Sequence, residues 1–347
     1  MKKYLNDVVI IRLVLIVLLV LYHAFAIYNG AWVMPDGIHE VKTYWWIASF
    51  SYSFMLEAFV FISGLVFGFQ VRNKYGGKVS AENGIVKKAK RLLIPSIVFS
   101  IIYVLCFGMS SDISWGGLVY NIIGGVGHMW FLPMLFWCFV GIYLIEKLKG
   151  PIKVALILSV IMSIFSLTDL PLRLSSSAYY FLFFYLGYLI DKENLSIRVK
   201  MTLRNTMIVW GIYLLVFVAS KLIFSTSQIQ EFSELSIYNK FIVAISQRIL
   251  QIIYSLAGTV GIFMLSNIFL ERKVFTISER MIKWSGYCMG IYIVQQFILM
   301  PFVHSHSVVD VLGTYWLPWV AFGVAMSGSV MIAYILRKTC FGRVLIG

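Results

Sequence analysis

Long apolar stretches recur down this chain, broken only by short polar gaps, and they dictate the solvent in which it folds. They cover roughly residues 8–28, 47–71, 92–110, 127–146, 152–168, 176–190, 206–224, 243–270, 284–302 and 314–336. A helix needs about 20 predominantly apolar residues to cross the hydrocarbon of a bilayer. Hydrophobic residues make up 60% of the 347 and charged residues only 13%, against about one quarter charged in soluble domains. A soluble fold has nowhere to hide that much apolar surface, so the lipid bilayer is the expected partner. The runs are continuous rather than alternating, which argues against a closed barrel, and backbone facing lipid must satisfy its own hydrogen bonds. The expected fold is an all-α polytopic membrane protein of about ten transmembrane helices, forming one integral-membrane domain over 1–347. The Gly-rich stretch 115–126 predicts a partly re-entrant loop.

The net charge of +14 superficially suggests nucleic acid, but its distribution argues for a membrane instead. With Met1 in the cytoplasm, an even number of spans returns the C-terminus there. The cytoplasmic segments 1–7, 72–91, 147–153, 191–204, 271–283 and 337–347 then hold 23 of the 29 Lys and Arg residues. The outer segments hold Lys42, Arg173, Lys221, Lys240 and Arg248, and Arg12 lies inside the first span. Such a split is the positive-inside pattern. It predicts cytoplasmic termini and a multi-pass protein of the inner cell membrane, and no nucleic-acid partner. The first apolar run is long and no small-residue cleavage site follows it, so no cleaved leader is expected. The four cysteines have no metal or redox spacing; Cys106, Cys138 and Cys288 lie in apolar runs as small hydrophobes. Oligomeric state is not legible.

Ionisable groups within membrane spans are costly and point to function. Arg12 and His23 are eleven residues apart on the first span, three helical turns plus about 20°, so both face one side, about 16 Å apart along the axis. One face thus carries a cation near the cytosol and a titratable imidazole deeper in, suited to general-base work. The bland alternatives are a snorkelling arginine and a histidine hydrogen-bonded between helices. Glu57 lies mid-span and must pair or carry a proton. It could orient His23, bind an acceptor hydroxyl, or pair with a structural arginine. Ser63, Gly64 and Gly68 read as close helix-packing positions. His128 and Trp130, in Gly127-His128-Met129-Trp130-Phe131-Leu132-Pro133, are expected at the outer interface, either anchoring there or lining a substrate site. The basic run Lys87, Lys88, Lys90 and Arg91 is either an anchor facing anionic lipid or a cytosolic phosphate site. Tyr292 and Gln295, within Tyr292-Ile293-Val294-Gln295-Gln296, predict a polar cavity or interhelical hydrogen bonding. His304 and His306 form an H-x-H pair without an evident third ligand, so no metal is expected. Nucleophile-elbow, nucleotide-loop and H-E-x-x-H motifs are absent.

In order along the chain, these elements resemble the acyltransferase-3 family of membrane O-acyltransferases. Arg12…His23 is similar to the family's basic residue, ten intervening residues, then His. Phe59-Val60-Phe61-Ile62-Ser63-Gly64-Leu65 is similar to F-F-x-x-S-G-F. Arg91-Leu92-Leu93-Ile94-Pro95 and His128-Met129-Trp130-Phe131-Leu132 resemble the R-L-x-x-P and H-x-W-F-L elements. Tyr292-Ile293-Val294-Gln295 departs from Y-x-x-H by carrying Gln where His is common, which leaves His23 as the candidate for the chemistry.

The resemblance implies transfer of an acyl group, often acetyl, from cytosolic acetyl-CoA or another acyl-CoA to a hydroxyl of an envelope or extracellular carbohydrate. Arg91, with Lys87, Lys88 and Lys90, would hold the donor phosphates. Arg12 would bind a phosphate or polarise the thioester carbonyl. His23 would act as general base or as acyl carrier, and Glu57, His128, Trp130, Tyr292 and Gln295 would line the acceptor side. The rival is a transporter or flippase for a glycan precursor, in which the same buried charges form a path; no inverted repeat favours it.

Overall fold

A computed structural model describes residues 6–108, 114–193, 202–224, 236–274 and 276–346. Among these there is no strand. The helices are α1 (Asn6–Ala24), α2 (Lys42–Tyr52), α3 (Met55–Lys74), α4 (Lys87–Phe107), α5 (Trp115–Gly124), α6 (Phe131–Leu148) and α7 (Ile152–Phe165). They continue with α8 (Leu174–Lys192), α9 (Leu203–Ile223), α10 (Ile237–Glu271), α11 (Glu279–Ser285), α12 (Cys288–Val303), α13 (His306–Lys338) and α14 (Cys340–Ile346).

Each of the ten expected stretches is built around a helix. By length and apolarity, 7 helical segments among the described residues suffice to cross a membrane, or 8 counting α11 and α12 as one span bent by 55°. The other two fall short for different reasons. Helix α7 has only 14 residues, and α8 dilutes its apolar character with Ser175, Ser176, Ser177 and four tyrosines. The chain is therefore a multi-pass, all-α membrane protein.

The Gly-rich stretch departs from expectation. Residues 115–124 form a regular helix, its start capped by the Ser114 side chain accepting from the Gly117 N–H. As a helix the stretch satisfies its own backbone hydrogen bonds. The irregular backbone is confined to 125–127, where Gly125 (φ +83°) and Gly127 (φ +55°) are left-handed.

Two compact units are built from this chain: 1–55, 90–132 and 276–347 in one, 56–89 and 133–275 in the other. In the first, α1 packs against α2, α11, α12 and α13. Prolines remove helical donors, and hydroxyls replace them. Pro318 has no N–H for the Thr314 carbonyl, and the Tyr28 hydroxyl donates to that oxygen instead. Pro133 likewise leaves the Met129 carbonyl short, and Ser96 Oγ donates to it at 3.4 Å. In hydrocarbon such replacement is what makes a broken ladder tolerable.

In the second unit α9 pairs with α10 and α7 with α8. Helices α3 and α8 cross at backbone contact. A Cβ on Gly64 would lie 2.0 Å from the Phe184 carbonyl oxygen, one on Gly68 2.4 Å from that of Tyr188, and one on Gly187 2.0 Å from that of Phe61. The Gly64-x-x-x-Gly68 spacing thus serves close packing.

Candidate functional site

The first unit gathers Arg12, His23, Arg91, His128, Tyr292 and Gln295. Helix α1 carries Arg12 and His23 on one side, as the spacing predicts. The two residues after His23 end the helix, and a short 3-10 turn follows at Ala26–Asn29. His23 Nδ1 lies 3.0 Å from the Leu19 carbonyl one turn back. A carbonyl only accepts, so Nδ1 carries the proton and Nε2 of the neutral ring is left with a free lone pair. Trp32 stacks on the ring at 5.7 Å between centroids. The imidazole is thereby held in one tautomer and one orientation, with its basic nitrogen directed away from its own helix.

His128 reaches the same region by another route. The left-handed Gly125 and Gly127 bring the backbone close to its neighbours: a Cβ on Gly125 would lie 2.6 Å from the Trp130 nitrogen, and one on Gly127 2.9 Å from the Tyr103 ring. Ser100 Oγ accepts from the Val126 N–H at 3.0 Å and fixes this turn. His128 then enters the protein 5% exposed. Its Nε2 donates to the Ile293 carbonyl at 2.9 Å, and the Tyr292 hydroxyl donates to the His128 carbonyl. Its Nδ1 is buried without a hydrogen-bond partner. The two histidines are close enough to interact electrostatically. Each has one nitrogen pinned by a carbonyl and the other free to accept a proton. Trp130 is half-buried beside Phe131.

Gln295 deepens the polarity of this interior. It is fully buried (0%), and neither its Oε1 nor its Nε2 has a partner. A buried amide left unsatisfied costs free energy, so this position calls for a polar occupant. Tyr292, Gln295 and Gln296 lie on adjoining faces of α12, and the Gln296 amide sits beside His128.

Arg12 is half-buried on α1. Its backbone carbonyl accepts from Cys288 Sγ at 3.7 Å, and its guanidinium forms no ion pair among the described residues. The titratable groups near enough to interact with it electrostatically include the Cys288 thiol and Arg91, another cation. Arg91 is exposed at the start of α4. Two guanidiniums, neither in an ion pair among the described residues, can attract an anion. The rest of the basic run divides. Lys90 is exposed. Lys87 pairs with Glu82 at 2.8 Å. Lys88 belongs to the second unit and packs within it, its Nζ 4.5 Å from the Phe139 ring centroid, 4.9 Å from that of Phe67 and 3.5 Å from Gln70 Oε1. Lys88 is thus absorbed in packing.

Glu57 belongs to the second unit and is 2% exposed. Its Oε1 accepts from the Tyr179 hydroxyl at 2.8 Å and from Ser255 Oγ at 3.2 Å. Arg248 lies near enough to interact with it electrostatically and stacks its guanidinium 4.6 Å from the Tyr179 ring centroid. Arg248 also donates to Gln251 Oε1 at 3.1 Å. Of the three roles open to Glu57 from sequence, association with a structural arginine matches these neighbours. Its Oε2 and the Thr259 hydroxyl, one turn beyond Ser255 on α10, are buried without partners.

Sequence reasoning passed over Arg248, counting it among outer charges. It lies eleven residues into α10, so the rule that singled out Arg12 applies to it once the helix start is known. His304 Nδ1 lies 3.0 Å from the Met300 carbonyl, and no group of three metal-ligating side chains occurs among the described residues.

A multi-pass helical membrane protein with two histidines that interact electrostatically and a half-buried arginine without an ion pair among the described residues is the class that fold and site define. The chain belongs to the acyltransferase-3 family: the family model, described as an acyltransferase domain, matches residues 5–338. It is a membrane acyltransferase. Neither the comparison with curated proteins nor that with solved structures gives a match.

Proposed function

We propose that this protein O-acylates a hydroxyl of an envelope or extracellular carbohydrate, drawing the acyl group, acetyl foremost, from cytosolic acyl-CoA. In this reading the chain crosses the inner membrane ten times with both termini in the cytoplasm. The observation that carries it is the column on α1: an arginine without an anionic partner, near Arg91, and a histidine whose Nε2 is free.

The donor's nucleotide end is too charged for hydrocarbon, so it docks at the cytosolic end on Arg91 and Lys90. Arg12 takes a donor phosphate or polarises the thioester carbonyl. Lys87 and Lys88 contribute less, because each already has a partner. The acceptor hydroxyl attacks the thioester carbon and His23 Nε2 removes its proton. The new C–O bond forms, the C–S bond breaks, and the proton passes from Nε2 to the departing thiolate. The Nδ1–H···O=C bond to Leu19 fixes the tautomer in which Nε2 is the nitrogen that takes up the proton and gives it back. Alternatively Nε2 attacks the thioester carbon and the C–S bond breaks to release the thiolate; the acceptor hydroxyl then attacks the acyl carbon, the C–N bond breaks and the hydroxyl proton passes to the thiolate. His128, Trp130, Tyr292 and the unsatisfied Gln295 amide line the path of the acceptor or of the thioester.

Membranes bearing wild-type protein should transfer label from [acetyl-14C]acetyl-CoA to envelope glycan. His23→Ala should lower that rate by about 10²–10⁴-fold, the usual contribution of a general base, with unchanged protein level. Transfer at the wild-type rate by His23→Ala would remove both the general-base and the acyl-carrier versions.

A further inference from the structure

An open groove of about 810 Å³ lies along the first unit between α11, the start of α12 and α13, and none of the residues invoked for acyl transfer lines it. Its chemistry is graded from end to end. At one end stand Arg280, Lys283 and Trp284, all exposed. Lys283 interacts electrostatically with the Tyr334 phenol, which packs against Tyr287 at 6.3 Å between centroids. Two further cations crown this end: Arg337 lies 5.0 Å from the Tyr287 ring centroid and Lys338 Nζ 4.3 Å from that of Tyr334. Among the described residues, no acidic side chain lines the groove. Away from this end the lining becomes Met331, Val330, Met326 and Phe322. From Tyr334 to Phe322 is twelve residues of helix, about 18 Å, close to half the roughly 30 Å of a hydrocarbon core.

We propose that this groove holds one anionic phospholipid, its phosphodiester headgroup on Arg280 and Lys283 and an acyl chain along Met331–Phe322. The depth matches one leaflet, and the charge complements a phosphate. Trp284 suits the headgroup level, where amphipathic rings settle. Basic pockets between helices on the cytoplasmic side are where such headgroups bind. With the orientation proposed above, the basic end lies in the cytoplasmic leaflet. The helix pair bent by 55° that forms one wall continues into the helix bearing Tyr292 and Gln295, so an occupying lipid braces the element on which that site is built.

The test is native mass spectrometry of the purified full chain, titrated with phosphatidylglycerol and, separately, phosphatidylcholine. Each cation near an anionic headgroup is worth about fivefold, so one phosphatidylglycerol should be retained about thirtyfold more tightly than phosphatidylcholine. The double variant Arg280→Glu and Lys283→Glu, both at exposed positions, should lose that preference. Gly323→Trp should lose retention without altering charge, because Gly323 lines the groove and a Cβ there meets nothing within 4 Å. Equal retention of the two lipids by wild type, or a preference that survives the charge reversal, would overturn the proposal. A third arm adds coenzyme A without lipid. Saturable binding lost in the same double variant would make the groove a nucleotide site and overturn the lipid assignment.

Discussion

Glu57 shows what a single buried carboxylate demands. Two hydroxyls donate to one of its oxygens and a guanidinium lies nearby, so its removal strands donors rather than simply deleting a charge. Glu57→Ala should cost about 1–3 kcal/mol for buried donors left unsatisfied. Glu57→Gln keeps an acceptor for Tyr179 and Ser255 and should cost less. Thermal unfolding in detergent compares the two; equal losses would mean that the hydrogen bonds are not what Glu57 contributes. Some of the interior polar groups of each unit were legible in the sequence. Arg12, His23 and Glu57 stand out because polar groups in apolar helices are rare. Arg248 did not, because its helix begins at Ile237, before the span drawn from 243, and a cation at a span's edge looks like an anchor. The burial of His128 was also hidden. It depends on a carbonyl of α12, 165 residues away, and no local pattern reports that.

At the level of elements, apolar runs fixed where helices form, but their interruptions came from backbone chemistry. Helices α2 and α3 part at Ser53–Phe54, within the run expected as one span. Helix α13 is broken at Gly313 (φ +59°), where the expected span begins. The glycines after α5 are a turn that aims His128, while those within α5 are simply helical. Small residues made the crossing of α3 and α8 predictable only in part: Gly64 and Gly68 suggested a packing face, whereas the matching Gly187 was not singled out. A side chain at Gly64 has no room, since its first carbon would meet a carbonyl oxygen at 2.0 Å. Gly64→Leu should therefore force the helices apart at a cost of at least about 1–3 kcal/mol. Lower folded yield and a reduced melting temperature by size-exclusion-monitored heating check this. An unchanged melting temperature would show that the two helices separate freely.

Across the whole molecule, membrane embedding explains both the composition and the placement of charge. The cations gather in the polar gaps, and the exceptions sit well inside helices, Arg12 on α1 of the first unit and Arg248 on α10 of the second. The basic run before Pro95 illustrates how a sequence cluster divides on folding. Lys87 pairs with Glu82 and Lys88 lies between aromatic rings, which leaves Lys90 and Arg91 for a ligand. In the proposed function a CoA thioester binds at the Arg91 end of the site and reacts at His23. Calorimetric titration of acetyl-CoA into the protein in nanodiscs tests it most directly, with Arg91→Ala, Lys87→Ala and His23→Ala alongside wild type. A charge-assisted phosphate contact is worth about 1.5–3 kcal/mol, so Arg91→Ala should weaken binding by about 10–100-fold. Lys87→Ala and His23→Ala should bind nearly as wild type. No binding of acetyl-CoA or of longer acyl-CoAs by folded wild-type protein, or affinity untouched by Arg91→Ala, would contradict the account.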